Sequence, residues 1–243
     1  MHLADFLGLA AAGQPQLGAA LAALSHLPPS ASHCLLSGPE RSGKTSLLFH
    51  AALSLARQGR EVLLLCRRAK LEAAPPLLPE GLTHSDPAWQ LVHIKYLANG
   101  YELLRYASCI HMLPRLPDAL LVDDLHALCD LPAGARPRPR DMALCRVLAS
   151  LHEAANVVAA LKQGPCQLLV TQLSPPEGPR QLYMLQRWLP LVLHIRPTGQ
   201  SLALAVLNPR LDVPPACLQQ LQFSLKHGGL TLEAMLPPQT HPF

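Results

Sequence analysis

The segment Gly38-Pro39-Glu40-Arg41-Ser42-Gly43-Lys44-Thr45 fits the pattern G-x-x-x-x-G-K-[ST] at every position. Each fixed residue has a physical job in holding phosphate. Gly38 and Gly43 allow a backbone bend tight enough to aim several N–H groups at one anion. Lys44 is long enough to reach β- and γ-phosphates, and the Thr45 hydroxyl suits a Mg²⁺ ion. The cradle for the nucleotide extends over Gly38, Pro39, Glu40, Arg41, Ser42, Gly43, Lys44, Thr45 and Ser46.

The flanks decide whether such a pattern is a phosphate loop or merely a Gly-rich turn. His33-Cys34-Leu35-Leu36-Ser37 before it reads as a buried strand. Lys44 to Arg57 after it reads as a helix, with Leu47, Leu48, Ala51 and Leu55 on one face. Strand, loop and helix in that order put a helix N-terminus, with its positive dipole end, at the phosphates.

A phosphate loop needs an acid beside its metal. Ala119-Leu120-Leu121-Val122 is an apolar strand running into Asp123, the expected second Mg²⁺ ligand after Thr45, with Asp124 as an assistant or as a helix cap. A further strand, Gln167 to Thr171, is followed by Gln172, placed to sense the γ-phosphate or simply to face solvent. Lys44, Asp123 and Gln172 are therefore the residues expected to carry the chemistry. Guanine reading through N-K-x-D and the S-G-G-Q element of transporter ATPases are both missing from the sequence.

Other apolar runs complete an alternating order. Glu61 to Cys66 reads as a central strand, Ala73 to Pro87 as a Pro-rich loop, Gln90 to Leu97 as a strand and Tyr101 to Leu113 as a helix. Leu131 to Arg140 reads as a loop, with Asp141 capping a long helix that buries Leu144, Val147, Leu148, Leu151, Ala155 and Val158. A short helix (Gln181 to Leu189), strands at Leu191 to Ile195 and Leu202 to Leu207, and a hairpin about His227-Gly228-Gly229 follow. Alternation of strand and helix predicts an α/β fold: a mostly parallel sheet covered by helices on both faces, with a C-terminal antiparallel edge hairpin.

Composition narrows the class. Hydrophobic residues are 49% and charged residues 15% of 243 residues, enough for a folded core. The apolar runs are broken by Arg, His or Pro, which argues against a membrane span. The Ala-rich N-terminus has no Arg or Lys before Arg41, unlike a secretory or mitochondrial leader. Seven Cys without a C-x-x-C pair read as reduced thiols, and His126 with Cys129 lacks a second pair for zinc. A net charge of +4 permits contact with nucleic acid without demanding it.

With the phosphate loop, Leu65-Cys66-Arg67-Arg68, the Asp123 strand and Leu169-Val170-Thr171-Gln172 in this order, the chain resembles RecA-like recombinases. Leu47-Leu48-Phe49, Tyr101-Glu102-Leu103-Leu104-Arg105 and Leu185-Gln186-Arg187-Trp188-Leu189-Pro190 bring it nearer to divergent paralogues that partner a SWIM-type zinc-finger protein in animal Shu-type complexes. The resemblance covers roughly residues 33–236 and implies a RecA-like P-loop NTPase core, placed at residues 31–243; residues 1–30, read from their own sequence as a helix or two ending at Pro28-Pro29, form an N-terminal helical extension. It implies ATP and Mg²⁺ as ligands, weak hydrolysis, single-stranded DNA, a SWIM partner, recombinases and their other paralogues as partners, and a nuclear role in homologous recombination repair and meiosis.

Arg68 falls where RecA-type enzymes carry their catalytic Glu, so slow turnover is expected. DNA contact is expected from the loops after the Asp123 and Gln172 strands, through Arg136, Arg138, Arg140 and Arg180. The alternative for those arginines is a solvated surface. The alternative for the whole chain is a P-loop scaffold that holds ATP structurally and acts only through protein partners.

Overall fold

The computed structural model describes residues 32–78, 82–83, 85–129, 137–179, 181–198, 201–207, 220–226 and 229–236. Residues 1–30, Arg136 and Arg180 lie outside them, so the expected N-terminal helices and two of the four arginines have no structural account.

Among the described residues, nine strands form one sheet in the order β3-β2-β4-β5-β1-β6-β7-β8-β9. Strands β1 (His33–Gly38), β2 (Val62–Cys66), β3 (Val92–Tyr96), β4 (Ala119–Val122), β5 (Gln167–Leu173) and β6 (Leu191–Thr198) are mutually parallel. Strands β7 (Ser201–Val206), β8 (Gln220–Lys226) and β9 (Gly229–Leu236) extend the sheet antiparallel beyond β6. The expected edge hairpin is β8–β9, and β7 joins it to the parallel part.

Helices cover both faces because β2 and β4 are apolar at every position, not at alternate ones. Cys34, Leu36, Val62, Leu64 and Leu121 enter one core with Leu47, Leu48, Ala51 and Leu55 of α1 (Lys44–Arg57). Their neighbours Leu35, Leu63, Leu65, Leu120 and Val122 enter the other core. There they meet Leu103 and Ala107 of α3 (Gly100–Ser108), Leu125 and Leu128 of α4 (Leu125–Cys129), and α5 (Pro137–Lys162). The short α2 (Arg68–Ala73) follows β2, and α6 (Leu182–Leu185) precedes β6. This is an α/β fold of RecA-like type.

Three local expectations are corrected. Residues 137–140 are not loop: α5 begins at Pro137, so Arg138 and Arg140 belong to its first turn, and Asp141 does not cap it. The residue before a proline is biased away from helix, which makes Arg-Pro-Arg-Pro read as extended. In a first turn, however, the missing proline N–H has no intrahelical acceptor to lose. Asp141 instead accepts from Gln181 Nε2. Gln172 does not follow β5 but lies within it, since the strand runs on to Leu173. The helix expected over Tyr101 to Leu113 ends at Ser108 and continues as a 3₁₀ turn, Ile110–Met112.

By length and composition alone, Asp141–Lys162 is the one described helix able to cross a membrane. Its stripe of Leu144, Val147, Leu148, Leu151, Ala155 and Val158 is buried on the sheet, as in a core helix of this length.

Helix α3 begins hard against the end of α4. A Cβ added to Gly100 would collide with the Leu128 carbonyl oxygen.

Candidate functional site

The site forms at the carboxyl ends of β1, β4 and β5, the place where open parallel sheets bind ligands. Between β1 and α1 the chain turns through residues 39–43. Gly43 ends the turn at φ 76°, left-handed backbone that glycine adopts without strain. Arg41 takes the same region at φ 57°. No side chain caps the N-terminus of α1. Its first amides are thus left for an outside acceptor, the arrangement that binds phosphate.

Lys44 is buried and folded back along the loop. Its Nζ donates to the Gly38 carbonyl at 2.9 Å, to the Pro39 carbonyl, and to Ser42 Oγ at 3.2 Å. Burial, and secondly the charge of Lys70, pull its pKa down to about 8. Ser42 Oγ in turn donates to the Pro39 carbonyl at 2.8 Å. Ser46 is otherwise engaged, accepting from the Leu77 amide at 2.9 Å.

Asp123 is fully buried at the end of β4. Thr45 Oγ1 lies 3.1 Å and 3.2 Å from its two carboxylate oxygens, and Thr171 Oγ1 donates to Oδ1 at 2.8 Å. Lys70 Nζ lies 2.8 Å from Asp123 Oδ2 and 3.4 Å from Asp124 Oδ2. Asp124 stands at φ 59°, and its carboxylate accepts from the Ala127 amide at 3.4 Å in the first turn of α4. Its cap role and its approach to Lys70 therefore coexist.

Thr45 and Asp123 offer oxygen donors only, the set that a hard divalent cation such as Mg²⁺ takes. A cation, the Lys70 ammonium, already lies against Asp123 Oδ2. The residues present therefore fit Mg²⁺.

Gln172 pairs in register with Ser37 of β1. It is buried, and its Oε1 has no hydrogen-bond partner, so a polar acceptor points into the protein unsatisfied. One strand further, His194 is buried on β6 with Nε2 at 2.9 Å from the Pro176 carbonyl and Nδ1 at 2.9 Å from Ser37 Oγ. The carbonyl can only accept, so Nε2 carries the proton. Burial holds this imidazole below its usual range, and the Pro176 bond works against that. His194 thus ties the end of β1 to the segment after β5.

A cleft of about 610 Å³ opens over the P-loop, lined by the whole stretch Glu40–Ser46, by Lys70, Ala73–Leu77, Asp124 and Leu173. Arg68 is not part of it. Its guanidinium stacks on the Tyr96 ring of β3, 4.7 Å from the centroid. The lysine two residues further on turns into the cleft instead.

Sequence reasoning passed over Lys70, Thr171 and His194. Thr171 had a signal, a hydroxyl inside an otherwise apolar run. Lys70 had none beyond its closeness to Arg68.

No family model matches the chain. Two curated relatives do. The mouse protein named ATPase SWSAP1 is 32% identical over 195 residues, 73% of this chain and 67% of the mouse protein. The human protein of the same name is 30% identical over 210 residues, 84% of this chain and 82% of the human one. The match spans most of both partners and agrees with the RecA-like sheet, so the chain belongs to the SWSAP1 family.

Proposed function

We propose that this chain binds ATP with Mg²⁺ in the cleft over Gly38–Ser46, hydrolyses it slowly, and acts as a recombinase paralogue in homologous recombination repair. The observation that carries the reading is the meeting of Thr45, on the first turn of α1, with the buried Asp123 at the end of β4. The name ATPase carried by both relatives agrees with it. In this reading Lys44 holds the β/γ-phosphates, Thr45 and Asp123 hold the metal, and Gln172 reports the γ-phosphate. Gly38, Pro39, Glu40, Arg41, Ser42, Gly43 and Ser46 complete the cradle. The metal, when bound, neutralises charge developing on the transferred phosphoryl group.

Slow hydrolysis follows from the end of β2. The position that would orient an attacking water with a carboxylate carries Arg68, and Arg68 is stacked on Tyr96. Turnover is expected below about 1 s⁻¹. The chain works in the nucleus, including in meiosis, with a SWIM-type zinc-finger partner, with recombinases and their other paralogues, and on single-stranded DNA contacted by Arg136, Arg138, Arg140 and Arg180.

One observation favours a second reading, a scaffold whose ATP is structural: the ammonium of Lys70 lies beside both Asp123 and Asp124. Phosphate release from the purified complex with its SWIM partner separates the two. Slow release accelerated by single-stranded DNA supports the ATPase. ATP bound without release supports the scaffold, and rapid release by the isolated chain overturns both.

A further inference from the structure

A carboxylate removed from water needs a counter-charge. Asp123 is fully buried. Its two hydroxyl partners, Thr45 and Thr171, donate hydrogen bonds but bring no charge. The positive charge in direct contact comes from Lys70, which also reaches the Asp124 carboxylate, while Lys44 acts on both acids from further away. Helix α2, which carries Lys70, has no buried residue, and the Lys70 side chain is 31% exposed. So the counter-ion is tethered by a flexible stem to a surface turn, within the same cleft as the P-loop. Both Asp123 oxygens are engaged, Oδ1 by Thr171 and Oδ2 by Lys70; Mg²⁺ takes short, near-octahedral oxygen contacts and tolerates no ammonium inside its shell, so an ion that uses Oδ2 displaces Lys70.

We propose that Lys70 is a resident counter-ion of Asp123 and Asp124 that a divalent cation must displace, so that nucleotide binds this cleft with an unusually weak dependence on Mg²⁺. This rests on the nucleotide reading of the cleft and adds to it a regulatory residue. Two consequences oppose each other and can be read apart. Without metal, Lys70 shields an incoming polyphosphate from two carboxylates, so metal-free binding is stronger than it would otherwise be. With metal, Lys70 competes for Asp123, so more Mg²⁺ is needed to complete the site.

The test titrates a non-hydrolysable fluorescent ATP analogue into the full chain with its co-purified partner, across Mg²⁺ concentrations and in EDTA. Lys70→Met is expected to lower the half-saturating Mg²⁺ concentration about tenfold, the lower end for losing a hydrogen bond to a charged group. It is expected to weaken binding in EDTA by a similar factor. Lys70→Arg, which keeps the charge, should restore wild-type behaviour in both. A purely structural lysine would move the unfolding midpoint and leave the Mg²⁺ midpoint where it was. Should Lys70→Met not fold, Lys70→Gln, which drops the charge while its amide still donates to Asp123, should move both readouts in the same directions by a smaller factor. An unchanged Mg²⁺ midpoint and unchanged EDTA affinity, with wild type binding the analogue, overturn the role of Lys70 alone. Failure of wild type to bind at any Mg²⁺ concentration overturns the nucleotide reading and this proposal with it.

Discussion

Thr171 fixes Asp123 from the neighbouring strand, donating to its Oδ1 at 2.8 Å while accepting the Asp124 amide at 2.7 Å. One hydroxyl therefore sets both the carboxylate's direction and the left-handed backbone of the next residue. Such backbone costs of order 1 kcal/mol at a residue other than glycine. Thr171→Val keeps the shape and removes both bonds. It should destabilise the fold by about 1–3 kcal/mol, as for buried groups left unpartnered. Denaturant midpoints measure this, and an unmoved midpoint would mean that β4 and β5 hold the turn unaided.

Lys44 should make ATP affinity depend on pH. Its pKa is about 8, lowered chiefly by burial. Bound polyphosphate favours the charged form, so binding takes up a proton above pH 8 and affinity falls as pH rises past that value. Lys44→Ala should bind ATP weakly and lose this slope. Equal affinity and equal slope in both proteins would show that the loop is unused.

Acid should unfold the chain through its buried histidines. Burial lowers the pKa of His50 to about 4, a Leu77 backbone bond opposing the shift, and His33 and His194 are lowered in the same direction. The unfolded state therefore binds protons first. Stability is fully present above about pH 6.5 and is lost as pH falls towards 4. Unfolding midpoints for His50→Leu across this window should fall less steeply than those of wild type; parallel profiles would place the sensitivity elsewhere.

Changing Arg136, Arg138 and Arg140 together to Ala should weaken single-strand binding. The log–log salt slope should drop by about 0.7 for each phosphate that an arginine no longer neutralises. Arg138 and Arg140 belong to the first turn of α5. Unchanged affinity and slope would make these residues plain surface, with any DNA site elsewhere or on the partner.

The central strands β2 and β4 were legible as continuous apolar runs, the outer strands β3 and β8 by their alternation, and α1 to its last residue because its apolar stripe and the P-loop fix both ends. The α5 start was hidden by prolines that usually mark extended chain. Helix α2 is six residues with none buried, so no periodicity announces it. Thr171 and Lys70 reach Asp123 across 48 and 53 residues of sequence, a closeness that only strand order creates. Gln172 could be read by position but not by environment: burial of an unpartnered oxygen is a property of the packed sheet.

Gly100 belongs to no motif, yet its lack of a side chain lets α3 close on the last turn of α4. Any replacement must push back the Leu128 carbonyl, and α4 starts at the residue after Asp124. A variant such as Gly100→Ser would be scored harmless by anyone inspecting the nucleotide motifs, yet it should loosen the acidic corner from behind. Clinical or breeding surveys of this gene family should weigh that glycine with the P-loop itself, and a thermal melt beside an ATP titration would tell whether they are right to.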